Sequence, residues 1–373
     1  MNSEVPRNTA HVDPGRQLVA LGVQLLDLVR NGSRTTTYKP ATLLALIDVL
    51  AVHADPQGRV PDEVPLEALA ARVLALYWPQ VREYDGLDRT GVVLRQISDR
   101  QKNSVILREV RALYEDARER GIRSPAQAAL HMPRDHAVAV RRVTQNLCRY
   151  PLARLQRPGG YRDGEVYDRP LYDDTVFGTD RPRTAVLHLH PGVGERLLSL
   201  SALLAPVLQF EWTQQVATLN GLPSEDLRTH LFGRERSDLG AVRDVLRVLQ
   251  QGRCQYCAAL LRGEGQVDHV VPWSLHPQDA IENLVLAHDR CNGAKSAYLL
   301  DLEPLRSWAE RDLTELAEAA SSVGWVSAPA AVFSTARSAY VHASTARLWS
   351  PAGTRLADPD ELRGVFLPLL QAV

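Results

Sequence analysis

Leucine, valine and alanine recur at intervals of three and four through the first third of the chain. This periodicity predicts helices over residues 16–30, 40–53, 65–78 and 108–120. Asn31-Gly32 follows the first of them and is typical of a helix end, and Pro40 suits the first turn of the second. We therefore predict a helical N-terminal domain over residues 1–130.

Helices joined by short turns are also typical of winged-helix and helix-turn-helix modules that bind DNA. The same pattern suits helices that only pack against one another. We favour the second interpretation, because no set of residues with catalytic spacing occurs in this part of the chain. Tyr77 and Trp78 are accordingly interpreted as core residues.

The pattern changes after residue 130, where proline, glycine, tyrosine and aspartate become frequent. Alternating apolar and polar residues predict short strands over 167–176 and 184–190, and an apolar run predicts a buried helix over 197–219. We interpret residues 131–240 as a mixed α/β linker or accessory region.

Arginine is concentrated in two stretches of the chain. Seven arginines stand against two aspartates between residues 131 and 163, and seven against three carboxylates between residues 228 and 262. Such stretches can supply phosphate contacts, although any single arginine can equally lie on a solvated face. The candidate nucleic-acid contacts are Arg141, Arg142, Arg149, Arg253 and, from the motif below, Lys295.

Composition narrows the class of protein. A chain of 373 residues favours two or three domains, and 45% hydrophobic with 23% charged residues is typical of soluble globular proteins. The net charge of -1 indicates neither a nucleic-acid nor a membrane partner. No apolar run reaches the roughly 18 residues of a membrane span, and the polar start does not predict a signal peptide. We expect a cytoplasmic protein with no membrane partner.

Three of the four cysteines fall within one short segment, together with a histidine. Cys254 and Cys257 are separated by two residues, and so are His288 and Cys291. Two such pairs suit one tetrahedral metal ion, and a Cys3His set favours structural zinc over disulfides in a reducing compartment. Cys148 has no partner at a useful spacing, and we expect it to be a buried apolar residue.

The segments between and after these pairs follow the order strand, loop, strand, helix. They read Val-Asp-His-Val-Val-Pro from residue 267, Asn-Leu-Val-Leu from 283 and Cys-Asn-Gly-Ala-Lys from 291. This series resembles the HNH endonuclease superfamily in its zinc-stapled branch. It is similar to the HNH domain of CRISPR effector nucleases, over residues 253–298. The resemblance implies a ββα-metal nuclease domain at 241–300 within an α+β, predominantly α, chain, followed by a helical tail at 301–373.

Residue types in the motif indicate how such a domain would hydrolyse a phosphodiester. Histidine titrates near neutral pH, so His269 is the candidate general base. Asp268 and Asn292 offer oxygen ligands for a catalytic Mg²⁺ or Mn²⁺ ion. The resemblance implies products with 5′-phosphate and 3′-hydroxyl ends. Asn292 departs from the superfamily name, which has a third histidine there, and this leaves the choice of metal open.

Two further motif residues complete the predicted site. Asn283 matches the central asparagine of the family name, and we expect it to hold the loop and to orient His269. Lys295 lies one turn after Asn292, and we expect it to contact phosphate.

The expected function is a DNA endonuclease in bacterial anti-phage defence or restriction. A partner protein, an activating signal or a homodimer would be compatible with this role. The alternatives are a catalytically silent, zinc-containing nucleic-acid-binding protein and a homing or mobile-element nuclease. RNA remains an alternative substrate, because the predicted site contacts phosphate and not sugar.

Overall fold

The structure is a computed structural model of the whole chain. It describes residues 14–30, 35–55, 57, 59–86, 89–98, 105–156, 170–179, 184–225, 227–232, 239–273, 275–276, 278–342 and 347–371. Helices make up 60% of the chain and the sheets are small, which confirms the α+β, predominantly α, class.

The described elements up to residue 232 share one hydrophobic core. Its helices are α1 Pro14–Arg30, α2 Tyr38–Val52, α3 Leu66–Tyr77, α4 Val105–Glu119, α5 Pro125–His131, α6 Pro133–Arg149, α7 Pro151–Arg154, α8 Val193–Ser199, α9 Ser201–Asn220 and α10 Leu227–Phe232. Its strands are β1 Glu63–Pro65, β2 Glu83–Gly86, β3 Arg89–Val93 and β4 Val186–His188, paired antiparallel as β1–β4 and β2–β3. The centre of this core is α2, whose residues are apolar on all sides and almost entirely buried.

The fold defines two parts of the region 131–240 more closely than the sequence does. Residues 133–149 form the helix α6, because Val140, Val143 and Leu147 recur at helical spacing and are buried in the same core as α3 and α4. The predicted helix over 197–219 is two helices, α8 and α9, bent by 78°. Among the described residues no single helix is long and apolar enough to cross a membrane, and these two meet the criteria only as a bent pair.

The predicted strands of this region are shorter than expected. The segment 184–190 contributes only the three residues of β4. Residues 167–169 of the other predicted strand lie outside the described residues, and Asp174–Val176 forms a 3-10 turn. Tyr172 and Leu189 still pair as an isolated antiparallel bridge.

A second hydrophobic core extends from Val242 to Leu370. Its helices are α11 Gly240–Leu249, α12 Asp289–Lys295, α13 Leu302–Ala309, α14 Leu313–Ser322, α15 Pro329–Val341, α16 Pro359–Glu361 and α17 Leu367–Leu369, with a π-helical turn at Leu362–Phe366. Its strands are β5 Gln266–His269, β6 Leu284–Ala287, β7 Leu299–Leu300, β8 Arg347–Ser350 and β9 Gly353–Leu356. β5 pairs antiparallel with β6, and β7, β8 and β9 form a separate three-stranded sheet.

The domain boundaries predicted at 130/131 and 300/301 do not coincide with the division of the core. α5 and α6 pack in the first core, and residues after 300 share the second core with the motif region. The helical tail predicted after residue 300 begins with two helices and not one, because Asp312 caps a new helix through the backbone N–H groups of Thr314 and Glu315. The chain therefore has two cores: the first includes described residues up to Phe232, and the second begins at Val242.

The two cores are in direct contact through α2 and α15. The Ser334 hydroxyl lies 2.8 Å from the carbonyl oxygen of Ala54, at the end of α2. Nearby, His276 Nδ1 lies 3.5 Å from Asp48 Oδ1, and Arg72 Nε lies 2.6 Å from Asp48 Oδ2. Burial raises the pKa of Asp48, but Arg72 and His276 outweigh it and leave the pKa below its ordinary value.

Candidate nuclease site

The four predicted zinc ligands lie together at the end of α11. Arg253 and Leu260 form a bridge that turns the chain between the two cysteines, and Ala258 adopts a positive φ of 57° in that turn. His288 stands at the N-cap of α12, and Cys291 lies in its first turn. The ligand atoms of Cys254, Cys257, His288 and Cys291 are all within 4.8 Å of one another, which is compatible with a zinc-stapled HNH motif.

The orientation of His288 suits metal binding through Nδ1. This atom lies 3.4 Å from Cys257 Sγ and 3.9 Å from Cys291 Sγ. The other ring nitrogen, Nε2, is 3.2 Å from the carbonyl oxygen of Leu260 and can donate its proton there. A hydrogen bond of this kind fixes the tautomer of a metal-binding histidine. The donor set, three thiols and one imidazole around a single point, fits Zn²⁺.

The thiols of this cluster have unequal proton affinities. Burial and the charge of Cys254 raise the pKa of Cys291 to about 12. For Cys257 burial acts in the same direction, but hydrogen bonds from the Ala259 N–H, Cys254, Cys291 and His288 outweigh it and lower the pKa to about 7. A bound cation would deprotonate them all.

The antiparallel pair β5–β6 and the helix α12 form the ββα unit. Residues Gln266 and Asp268 alternate with Val267 along β5 and therefore lie on one face. Asn292 on α12 donates from Nδ2 to Gln266 Oε1 at 2.7 Å, which places its side chain over that face. This bond uses Nδ2 and leaves the side-chain oxygen of Asn292, Oδ1, available. Asp268 and Asn292 thus share the face on which the sequence predicts a catalytic cation.

The carboxylate of Asp268 is held by three donors. Its Oδ1 accepts the backbone N–H of His269 at 2.8 Å, and its Oδ2 accepts the Tyr256 hydroxyl at 2.6 Å. Lys295 Nζ lies 3.3 Å from the same Oδ2. A carboxylate oxygen can accept two bonds, so Oδ1 keeps room for a further ligand. This donor set fits a hard divalent cation.

Lys295 lies inside the domain. Its side chain is fully buried, and Nζ donates to the carbonyl oxygen of His269 at 2.7 Å. Burial lowers the pKa of Lys295, and Asp268 acts in the opposite direction. In this geometry the buried ammonium group of Lys295 compensates the negative charge of Asp268 from the interior of the domain. A phosphate contact by Lys295 stays a prediction.

The ring of His269 is enclosed at the end of β5. Its Nε2 lies 2.9 Å from Asp279 Oδ1, and its centroid is 5.1 Å from that of Trp273. Only 5% of the His269 side chain is exposed. Sequence reasoning missed Asp279, because it lies ten positions later in a loop where no spacing rule marks it.

Asn283 is fully buried and fastens the loop between the two strands. Its Oδ1 accepts the N–H of Val271 at 2.8 Å, while Nδ2 donates to the carbonyl oxygens of Val271 at 3.2 Å and Gln278 at 3.0 Å. These bonds join both ends of the loop that carries Trp273 and His276. The ring of His269 is contacted by Asp279 instead.

Residues after 300 form hydrogen bonds that hold the end of the loop between β5 and β6, at Glu282 and Leu284. Trp308 Nε1 donates to the carbonyl oxygen of Glu282 at 2.8 Å, and the buried Arg311 guanidinium donates to the carbonyl oxygens of Glu282 and Leu284. The Glu282 carboxylate accepts the Ser327 hydroxyl and the Ala328 N–H. The predicted tail is therefore part of the nuclease domain.

The candidate nucleic-acid contacts lie in two places. Arg141, Arg142 and Arg149 are exposed on α6, where Arg142 pairs with Glu109 at 2.7 Å and Arg149 lies over the Tyr150 ring. Arg253 donates to the carbonyl oxygen of Ala258 within the zinc turn. Their role in binding nucleic acid stays a prediction.

Comparisons with known families divide the chain in the same way as its two cores. The model of the family described as HNH endonuclease matches residues 254–297, which span the zinc cluster and the ββα unit. The model described as Domain of unknown function (DUF8808) matches residues 19–230. No curated protein and no solved structure matches the chain. The second match takes in more than half of the sequence, so the chain belongs to the DUF8808 family and carries, after that domain, an HNH endonuclease domain.

Proposed function

We propose that this protein is a metal-dependent endonuclease that hydrolyses phosphodiester bonds of DNA. One observation carries the proposal: Asp268 lies on the face of β5 that Asn292 overlies, and the ring of the next residue, His269, is held through Nε2 by Asp279. A candidate base and two candidate oxygen ligands therefore lie on neighbouring positions of β5 and α12 in one ββα unit.

His269 would act through Nδ1, because Nε2 is occupied by Asp279. The proton of the attacking water passes to Nδ1 as the water oxygen bonds to phosphorus. Mg²⁺ or Mn²⁺ bound by Asp268 and Asn292 would polarise the phosphate and stabilise the departing 3′ oxygen. The family resemblance implies products with 5′-phosphate and 3′-hydroxyl ends.

The Cys3His cluster would hold structural zinc and not the catalytic cation. It joins the α11 end of the domain to α12, which carries Asn292 and Lys295. The ββα unit is small, and zinc binding would supply folding free energy.

Substrate binding would use the arginines of α6. His131, just before this helix, lies 3.1 Å from the Gly324 carbonyl oxygen, and Trp325 contacts the loop of Asp279. Arg141 and Arg149 follow Pro133 by about 12 and 24 Å along the helix, at 1.5 Å per residue. The helix therefore starts beside the nuclease domain and could guide a strand of DNA toward it.

A role in anti-phage defence or restriction in the cytoplasm is supported by the pairing of a nuclease domain with a larger second domain in direct contact. That domain would recognise DNA, a partner protein or an activating signal. One HNH site cuts one strand, so a double-strand break would require two events or a homodimer.

A supercoiled-plasmid assay with Mg²⁺ or Mn²⁺ tests the proposal. We expect nicking or linearisation by the wild type and by His188→Ala, which alters an exposed histidine of the first domain, and none by His269→Ala. Cleavage by His269→Ala at the wild-type rate would refute the assignment of the base. If the wild type binds DNA but does not cleave it with any divalent metal, the result would favour the alternative, a zinc-containing binding protein.

A further inference from the structure

We propose that Asp279 is the positioning residue of His269: its carboxylate holds the ring in the tautomer that leaves Nδ1 free to accept a proton. This inference rests on the proposed nuclease function and identifies a residue outside the family motif. It assigns a role to the loop between β5 and β6 beyond joining the two strands.

The carboxylate of Asp279 and the imidazole of His269 differ in their hydrogen-bonding capacity. An ionised carboxylate only accepts, so the imidazole nitrogen that faces it must carry the proton. Asp279 Oδ1 lies 2.9 Å from His269 Nε2, which assigns the proton to Nε2 and the lone pair to Nδ1. A general base needs that lone pair, and a ring with the opposite tautomer would present a donor to the attacking water.

The backbone that carries this carboxylate is held in place by hydrogen bonds. The Asp279 carbonyl oxygen accepts Trp325 Nε1 at 2.8 Å, and the Ile281 N–H donates to the Val326 carbonyl oxygen at 2.9 Å. On the other side, Asn283 holds the carbonyl oxygen of Gln278. The backbone of Asp279 is therefore attached on both sides, and three-quarters of its side chain is buried.

The other charged groups near His269 contact its backbone and not its ring. Asp268 accepts the His269 N–H, and Lys295 donates to the His269 carbonyl oxygen. Trp273 contacts the ring through its own aromatic system, with the two centroids 5.1 Å apart. Within the described part of the chain, Asp279 is the carboxylate that meets the imidazole.

Asp279 can be tested without measuring cleavage, by nitrogen-15 NMR of the histidine rings. At pH 8 the His269 signals, identified by their loss in His269→Gln, should show a proton on Nε2 and none on Nδ1. Asp279→Ala should convert them to a mixture of tautomers, while zinc content and thermal midpoint stay at the wild-type values. A proton on Nδ1 in the wild type, or an unchanged tautomer in Asp279→Ala, would overturn the proposal.

Kinetics then test the consequence for catalysis. Because Asp279 acts through the base, Asp279→Ala should lower kcat about 100-fold and leave KM within about twofold. Asp279→Asn should not restore kcat, because its amide can turn its NH2 group toward the ring and stabilise the opposite tautomer, with the proton on Nδ1. The control is Glu318→Gln, an exposed carboxylate on α14 of the same domain, which should match the wild type.

The two experiments separate the failure of each proposal. A wild type that does not cleave would refute the proposed function, while the NMR spectra would still decide whether Asp279 fixes the ring. A wild type that cleaves, with Asp279→Ala equal to it in kcat, would refute the positioning role alone. A loss confined to KM would indicate that Asp279 contacts substrate and would also contradict the proposal.

Discussion

Replacement of Asn283 by alanine should destabilise the nuclease domain more than the small size of the Asn283 side chain suggests. The side chain is fully buried and makes three hydrogen bonds with the backbone of Val271 and Gln278. Asn283→Ala would leave one buried N–H and two carbonyl oxygens without these partners. An unsatisfied buried group costs about 1–3 kcal/mol, and carbonyl groups tolerate the loss better, so we expect a total of about 3 kcal/mol.

The loss should be measured by urea unfolding and by hydrogen exchange. With a urea m-value of about 2 kcal/mol per M, the unfolding midpoint should fall by about 1.5 M. Exchange should accelerate most at the Val271 amide, whose acceptor is removed. Trp308 and Trp349, both in the second core, report its unfolding by fluorescence.

Two further variants separate the bonds from the volume of the side chain. Asn283→Asp keeps an acceptor for Val271 but sets a carboxylate oxygen against two carbonyl oxygens, so it should be at least as unstable as Asn283→Ala at neutral pH. Asn292→Ala removes one exposed bond and should cost under about 0.5 kcal/mol. If Asn283→Ala were as stable as Asn292→Ala, the fastening role of Asn283 would be wrong.

Three other predictions concern the zinc cluster, the contact between the cores and Lys295. Cys257→Ala should lose zinc and nuclease activity together, and a full zinc content by elemental analysis would contradict the assignment. The pKa of Asp48 is lowered in the folded state, so its stabilisation is present above its ordinary value of 3.8 and is lost as pH falls through the lower, folded pKa. Asp48→Asn should therefore be less stable than the wild type by about 2 kcal/mol at pH 6, with a difference that shrinks in acid; a constant difference would refute this. If the Lys295 ammonium group holds Asp268 and the His269 carbonyl oxygen from the interior, Lys295→Met should abolish cleavage without weakening DNA binding. A loss of affinity in a gel-shift assay would instead support the predicted phosphate contact.

The zinc ligands and the order of the ββα elements were predictable because they depend on short-range geometry. Two residues between Cys254 and Cys257 place both thiols on one turn, and His288 and Cys291 repeat the arrangement on α12. The two short strands β5 and β6 and the helix α12 were predictable from alternation and spacing.

Helix α6 was missed although its apolar residues recur at helical spacing. Proline, glycine, tyrosine and aspartate become frequent after residue 130 and indicated a mixed α/β region, but the glycines begin only at residue 159. Val140, Val143 and Leu147 outweigh this composition, because burying them against α3 and α4 stabilises the helix.

The sequence by itself determined the family of the HNH domain, the Cys3His cluster and the residue types of the candidate site. Only the tertiary structure decided that Asp279 contacts His269, that Lys295 is buried against Asp268, and that residues after 300 complete the domain. These contacts join residues that lie 10 to 46 positions apart, and no local spacing determines them. They depend on which charges the folded chain removes from water, since a buried charge or N–H group is stable only beside a partner that the rest of the chain brings to it.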